Sequence, residues 1–376
     1  MTTRAPIATT ASAFDLEALV RPVVRAVPTY TREEAPVVPP PRVVRLDWNE
    51  SPYGPSPKAR AALAAFDGAH RYPDLEQTAL REALGRYVGA PAGQIVPGAG
   101  LDDVFATMAL AMIDSGDRVV ISEPTFGLYR SHFATHGAEV VDVPLRTGFA
   151  LDADGILEAI TDRTKLVMVC NPNNPTGNLF DPVAVERVAR GARCLVAIDE
   201  AYAEFAGVAH RPLMERYPNV AVLRTMSKFA GFAGMRVGYG VFPAALMPHL
   251  DHVAPAFRNI AAASAAAAVA SLDDLPYLEG VVARIVADRE ELAARLREVP
   301  GVEPLPSATN FLLVRLPLAD AGPVVAELGR RGVFVRHFGR PNLGLADCLR
   351  VSIGTPKENA IFLDELRAVL AERGKG

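Results

Sequence analysis

An α/β fold with a large, mostly parallel sheet, followed by a smaller α+β unit, is predicted by three features of the chain. Short apolar runs alternate with amphipathic segments from about Pro57 onward, an alanine-rich tract ends that alternation, and the texture changes after Gly301. The runs DRVVIS, AEVVDVPL, KLVMVCN, CLVAIDE and NVAVLRT are short, apolar and β-branched, as expected of strands covered on both faces by helices. Each ends in a polar or glycine-bearing loop. In open α/β sheets ligands collect at the carboxyl ends of the strands, so chemistry is expected in the residues directly after these runs.

Taken in order, residues 1–45 read as an arm: a polar start, an amphipathic helix over about 15–27, then the proline-dense APVVPPPRVV, which cannot continue a helix and is expected to lie on another surface. The patterns PKARAALAAF and DLEQTALREALGRYV predict helices ahead of the strand-rich region. The tract IAAASAAAAVASL predicts a closely packed helix, since alanine is a strong helix former, and EGVVARIVADREELAARLREV a long one. Beyond Gly301, FLLVRL, a helix through PVVAELGRRG, the strands VFVRHF and CLRVSIG, and a terminal helix make up the smaller unit. The predicted boundaries are an arm at 1–45, a large ligand-binding domain at 46–255 whose residues 46–56 connect to the arm and line the site, and a small domain at 256–376.

Composition excludes several classes of function. Half of the 376 residues are hydrophobic and 22% are charged, enough for a sizeable buried core, and a formal net charge of −4 with no dense Lys/Arg block gives no footprint for nucleic acid or a membrane surface. Cys170, Cys194 and Cys348 are too few and too scattered for a disulfide framework or a thiolate metal site. The first residues lack the apolar core of a signal peptide and no stretch is long and apolar enough to span a bilayer, so a cytoplasmic protein with small-molecule partners is expected. His132 and His136, and likewise His249 and His252, have helical spacing, but without a third ligand they read as solvated helix faces and no metal is assigned.

Four motifs carry chemistry. The run Leu223-Arg224-Thr225-Met226-Ser227-Lys228 delivers a lysine from a strand into a loop, with Arg236 beyond it in FAGFAGMRVGYG. A lysine that forms an imine must be available unprotonated, which a desolvated or cation-neighboured strand end provides; Thr225, Ser227 and Arg236 add two hydroxyls and a positive fork suited to phosphate. A solvated loop cation is the plain alternative. Asp199 directly follows an apolar run, with Tyr202 three residues on: a buried aspartate beside a pyridine nitrogen keeps it protonated, although a strand-end helix cap has the same appearance. In Asn171-Pro172-Asn173-Asn174-Pro175-Thr176-Gly177, two prolines and a glycine restrict the loop and present Asn174 rigidly, unless the segment is only a turn. Gly98-Ala99-Gly100-Leu101-Asp102-Asp103 opens a helical pattern whose free N–H groups suit a single phosphate; Asp103 in place of a third glycine argues against a dinucleotide fingerprint.

Together, Gly100-Leu101-Asp102, NPNNPTG, DEAY and SK with a following arginine resemble the fold-type I aminotransferases, and within them the histidinol-phosphate aminotransferase group. VRAVPTYTRE, LDWNESPYGPSP, RYPD, EPTFGLY, SATNFLLV, VFVRHF and CLRVSIGTPKEN also have counterparts there, so the similarity spans nearly the whole chain. The resemblance implies an aspartate aminotransferase-like fold with a mostly parallel seven-stranded sheet, pyridoxal 5′-phosphate (PLP) as cofactor, and a homodimer with shared active sites. It makes Lys228 the Schiff-base lysine and proton shuttle, Asp199 the partner of the pyridinium nitrogen, Asn174 and Tyr202 the holders of the phenolic oxygen, and Phe126 the ring that stacks on the cofactor. The phosphate falls to Gly100, Leu101, Asp102, Thr225, Ser227 and Arg236, with Tyr72 reaching over from a second subunit. Arg350 is implied to clamp the substrate carboxylate, while Arg336 and Tyr30 face its distal end, with Trp48 and Asn49 in the segment lining the mouth.

The chain departs from that pattern at Trp48, where a small residue is usual, at Leu101 in the phosphate cup, at Phe126 where tyrosine is frequent, and at Arg340, an added cation expected near Arg336. The expected reaction is transamination between histidinol phosphate and 2-oxoglutarate. Alternatives are an aromatic or specialised amino-acid aminotransferase, a phospho-amino-acid decarboxylase of the same fold, and a non-catalytic ligand-binding protein.

Overall fold

The computed structural model describes residues 16–26, 43–340 and 343–373. A two-residue strand β1 (Val44–Arg45) precedes the main sheet. That sheet is built from β2 (Ile95–Gly98), β3 (Arg118–Ile121), β4 (Glu139–Asp142), β5 (Thr164–Cys170), β6 (Leu195–Asp199), β7 (Val220–Thr225) and β8 (Gly238–Val241) in the order β2-β8-β7-β6-β5-β3-β4. Only β8 runs against its neighbours. The five apolar runs read as strands are β3 to β7; the short, glycine-bearing β2 and β8 complete the sheet.

Side chains alternate along these strands between two separate cores. Leu166, Met168 and Cys170 join Val104, Phe105 and Met108 of helix Leu101–Met112, whereas Val167 and Val169 join Ile156, Val185 and Val188 on the opposite face. Both faces are covered, so the interiors of these strands carry apolar residues at consecutive positions. The alanine-rich tract forms helix Ala262–Leu272, packed on helices Pro57–Ala64 and Thr78–Val88, and helix Leu275–Arg297 leads on to the second unit.

The second unit contains β9 (Glu303–Pro304), β10 (Phe311–Arg315), β11 (Val333–Phe334), β12 (Arg336–His337) and β13 (Cys348–Ser352). Four of these form an antiparallel sheet in the order β12-β13-β10-β9, while β11 pairs in parallel with β1. VFVRHF is therefore two strands: Val333 pairs with Val44, and Arg336 lies opposite Arg350. In place of one helix over 15–27, the described part of the arm is a 3₁₀ turn at Glu17–Leu19 and a five-residue helix at Pro22–Ala26. Pro22 has no N–H to extend the first turn, and it suits a helix start. His249 and His252 are exposed, but His132 is half-buried against Phe105, with its imidazole lowered to about 4 by burial and then by His136. No helix among the described residues is long and apolar enough to cross a membrane.

The sheet and the helix start meet tightly at Gly238. A Cβ there would lie 2.5 Å from both the Gly100 carbonyl carbon and the Leu101 nitrogen, so backbone would have to move. Gly238→Ala is expected to cost roughly 1–3 kcal/mol of stability, in the range of overpacking substitutions. An unchanged denaturation midpoint in that variant would show that the close approach is not required.

Candidate active site

The sequence motifs converge at the carboxyl ends of β5, β6 and β7. Cys170 pairs with Asp199 and Asp199 with Leu223, so the residues that follow each strand emerge side by side. Asp199 is 2% exposed and burial raises its carboxyl to about 6, opposed by hydrogen bonds from the Tyr129 hydroxyl and the Ala201 N–H. The Tyr129 bond measures 2.5 Å. Tyr129, in helix Leu128–Thr135, lies three residues beyond Phe126, whose ring meets it edge-on at 5.4 Å. As an aromatic on a helix it reads as core, and only the sheet order reveals that its hydroxyl reaches Asp199.

Lys228 is half-buried, and its Nζ donates to the Trp48 carbonyl at 3.0 Å. Burial, and after it the nearby Arg350 cation, lowers its ammonium to about 8. Helix Leu101–Met112 starts close by, with Gly100 as its N-cap at φ 83°. A Cβ on Gly100 would lie within 2.1 Å of Arg236 Nη2, so bare backbone and guanidinium form one cup. Arg236 itself has φ 53°, a left-handed conformation that costs an L-residue roughly 1–2 kcal/mol, and it donates to Asp102 at 3.0 Å. The Thr225 hydroxyl donates to Ser227 Oγ at 3.0 Å.

Tyr202, Asn174, Asn49 and Arg350 form one network. Arg350 Nη1 donates to Asn174 Oδ1 at 2.5 Å, which turns the Asn174 amide N–H toward the Tyr202 hydroxyl, 3.2 Å away. Asn49 Nδ2 donates to the same hydroxyl at 3.0 Å, while Ser352 Oγ donates to Asn49 Oδ1 at 3.1 Å. A hydroxyl has two lone pairs and one proton. With both lone pairs engaged, the Tyr202 proton is directed to a further acceptor. Asn49, at φ 54°, is also held by Asn310, whose Nδ2 donates to its carbonyl at 2.9 Å; sequence reading did not identify Asn310 or Ser352.

Arg336 lies opposite Arg350 across β12–β13, so the two side chains leave the sheet on one face. Arg340 Nη1 is 3.7 Å from the buried Glu123 carboxylate, beside the Phe126 loop. Trp48 is 51% and Tyr72 84% exposed. Tyr30 lies outside the described residues. A cleft of about 560 Å³ at the amino ends of the strands, lined by Leu110, Lys165 and Leu246 among others, is remote from all of these groups.

A half-buried lysine and a buried aspartate at neighbouring strand ends, beside a glycine-lined cup with an arginine, have the chemistry that a carbonyl cofactor bearing a phosphate calls for. The chain belongs to the aminotransferase class I and II family, whose model matches residues 41–366. It is 44% identical over 361 residues to a histidinol-phosphate aminotransferase of Roseiflexus castenholzii, covering 94% of this chain and 96% of the relative. One from Dehalococcoides mccartyi is 35% identical, covering 96% and 99%. The crystal structure of histidinol-phosphate aminotransferase from Sinorhizobium meliloti in complex with pyridoxal-5′-phosphate superimposes with a TM-score of 0.84 at 29% identity, covering 96% of this chain and 99% of that one. The fold is accordingly that of the aspartate aminotransferase-like, fold-type I enzymes.

The lowered Lys228 ammonium gives a signature of its own. Its amine is neutral above about pH 8 and charged below. Labelling of the ligand-free protein by an amine-reactive reagent, read by peptide mass spectrometry, should reach half its limiting rate at Lys228 near that pH. A midpoint near the ~10.4 of an ordinary lysine would contradict the burial argument.

Proposed function

We propose that this chain is a PLP-dependent aminotransferase that moves an amino group between histidinol phosphate and 2-oxoglutarate. The observation that carries the choice of substrate is the pairing of Arg336 with Arg350 across β12–β13. Two guanidinium groups on one face match an acidic substrate with an anion at each end, and equally a phosphorylated amine set against a dicarboxylic acid. The names of the relatives agree with this reading.

The residues present fit PLP. Thr225, Ser227, Arg236 and the N–H groups after Gly100 would hold its phosphate, on a cup that a single Cβ would fill. Asp199, whose carboxyl is raised by burial, gains from a cationic ring nitrogen and would hold it protonated. The Tyr202 proton and Asn174 would serve the phenolic oxygen, and Phe126 would supply an aromatic face for the ring. When bound, PLP supplies an electron sink that makes the substrate α-hydrogen acidic. Lys228 Nζ, neutral above about pH 8, holds and returns the proton taken from the substrate α-carbon. Arg350, fixed by Asn174 and by the Asp47 carbonyl at 2.8 Å, would orient the α-carboxylate of glutamate or 2-oxoglutarate, and Arg336 would take that substrate's second carboxylate or, in the other half-reaction, the phosphate of histidinol phosphate, which has no carboxylate.

The same reading makes the enzyme a cytoplasmic homodimer with shared sites. The exposed Tyr72 is the residue offered to the partner's phosphate cup. A second reading, an aminotransferase for aromatic or specialised amino acids, is favoured by the half-exposed Trp48 at the mouth.

A panel of amines separates these readings. Glutamate and histidinol phosphate should each convert the visible absorption of the bound cofactor, without release of carbon dioxide. Lys228→Ala should abolish that absorption and turnover together. Arg336→Ala should lower kcat/KM for histidinol phosphate roughly 10–100-fold, as expected for loss of charge-assisted hydrogen bonds. Preference for aromatic amines, or evolution of carbon dioxide, would replace the proposed reaction.

A further inference from the structure

Behind the site lies a layer of buried polar groups that the reaction above does not use. Residues adjacent to the functional ones form it: Glu200 follows Asp199, and Arg224 precedes Thr225 on β7 with its side chain on the other face of the sheet. Arg224 Nε lies 3.1 Å from Glu200 and its Nη2 3.5 Å from Glu204, which also accepts the Tyr87 hydroxyl at 3.1 Å. His210 closes this network toward the site, with its Nδ1 2.8 Å from Glu200 Oε1 and its Nε2 3.0 Å from Asn171 Nδ2.

The hydrogen bonds determine the state of the ring. The Phe180 N–H can only donate, and it donates to Asn171 Oδ1 at 2.9 Å, so Asn171 presents its amide N–H to His210. Nε2 must then accept, which puts the ring proton on Nδ1 and directs it to the Glu200 carboxylate. A neutral imidazole of one defined tautomer thus joins two segments. Asn171 opens the loop that ends at Gly177 and carries Asn174, and its backbone N–H donates to the Asp199 carbonyl at 2.9 Å. Glu200 is 1% exposed and directly follows Asp199, and its backbone N–H is held by the Leu223 carbonyl at 2.8 Å.

We propose that His210 is a positioning residue: by bridging Asn171 and Glu200, it sets the loop carrying Asn174 against the strand end carrying Asp199, so that both address the same cofactor ring. The inference rests on the PLP reading above. Glu200 Oε1 also accepts the His210 backbone N–H, a bond that survives any side-chain replacement, so substitution at this position reads the ring alone.

The test uses the purified holoenzyme with PLP as probe. Retention of cofactor is followed by its visible absorption during dilution, and kcat is measured at saturating cofactor. His210→Leu fills the space but carries neither hydrogen bond; it is expected to weaken PLP retention about ten-fold or more, in the range of a hydrogen bond to a charged group, and to lower kcat. His210→Gln offers one amide N–H to Glu200 and one carbonyl to Asn171, and is expected to restore retention to within about three-fold of wild type. If His210→Leu does not fold, His210→Asn, which keeps the donor but falls short of Asn171, is judged against the same two limits. Wild-type retention in the Leu variant, or a Gln variant as defective as Leu, overturns the positioning role and leaves the cofactor reading intact. A wild-type protein that takes up no PLP overturns both.

Discussion

The hydrogen bonds of one guanidinium hold the site together. Arg350, on β13 of the small sheet, donates through Nη1 to Asn174 in the loop after β5 of the large sheet, and through Nη2 to the Asp47 carbonyl in the segment before both. Three parts of the chain, distant in sequence, are therefore located by one planar fork. Its rigidity means that fixing two donors fixes the direction of the rest. Phe311 and Phe338 lie 5.2 and 5.6 Å from the guanidinium carbon, which leaves it little alternative orientation. A guanidinium mounted in this way is aligned before any anion arrives, and under the proposed function that alignment of the α-carbon is where rate would be gained or lost.

The electrostatics of two buried groups in the protein alone are unfavourable. Burial raises Asp199 to about 6, so its contribution is destabilising wherever the carboxylate is ionised, fully above that pH and not at all below the unfolded value of 3.8. Lys228, lowered to about 8, destabilises below that value, and the cost disappears above the unfolded 10.5. At neutral pH both costs are present, of the order of 3 kcal/mol each by the usual conversion of shifts into free energy. Under the proposed function, a cationic ring nitrogen would offset the first and a covalent bond to the amine would remove the second. On that reading, the two groups whose burial is unfavourable are the two that the cofactor would relieve.

Legibility in the sequence followed the range of the interactions involved. Lys228, Asp199, Asn174 and Gly100 could be read because each is the local consequence of a strand ending in a loop. β3 to β7 were legible as apolar runs, whereas β2 and β8 are four residues each and contain proline or glycine, so their strand character comes from the neighbours they pair with. VFVRHF divides at Val335 because β1 and β13 are different partners, a fact stored in tertiary structure alone. Tyr129 and His210 were invisible for the same reason: each acts through a group brought close by the order of the strands, and neither stands in a pattern that distinguishes it from core or surface.

Segment 47–49 shows how cofactor chemistry and substrate choice are separated. Its backbone is pinned at successive residues: the Asp47 carbonyl by Arg350, the Trp48 carbonyl by Lys228, and the Asn49 N–H by the Ser352 hydroxyl at 2.8 Å. None of these contacts uses the side chain of residue 48. The backbone path therefore depends on the residues it meets, while the side chain at 48 can change from small to indole without disturbing them. Trp48 is half-exposed, and under the proposed function variation at this loop position would alter the entrance to the site. On the proposed function, strand ends hold what the reaction requires, while a loop stapled through its main chain would be free to differ in what it admits.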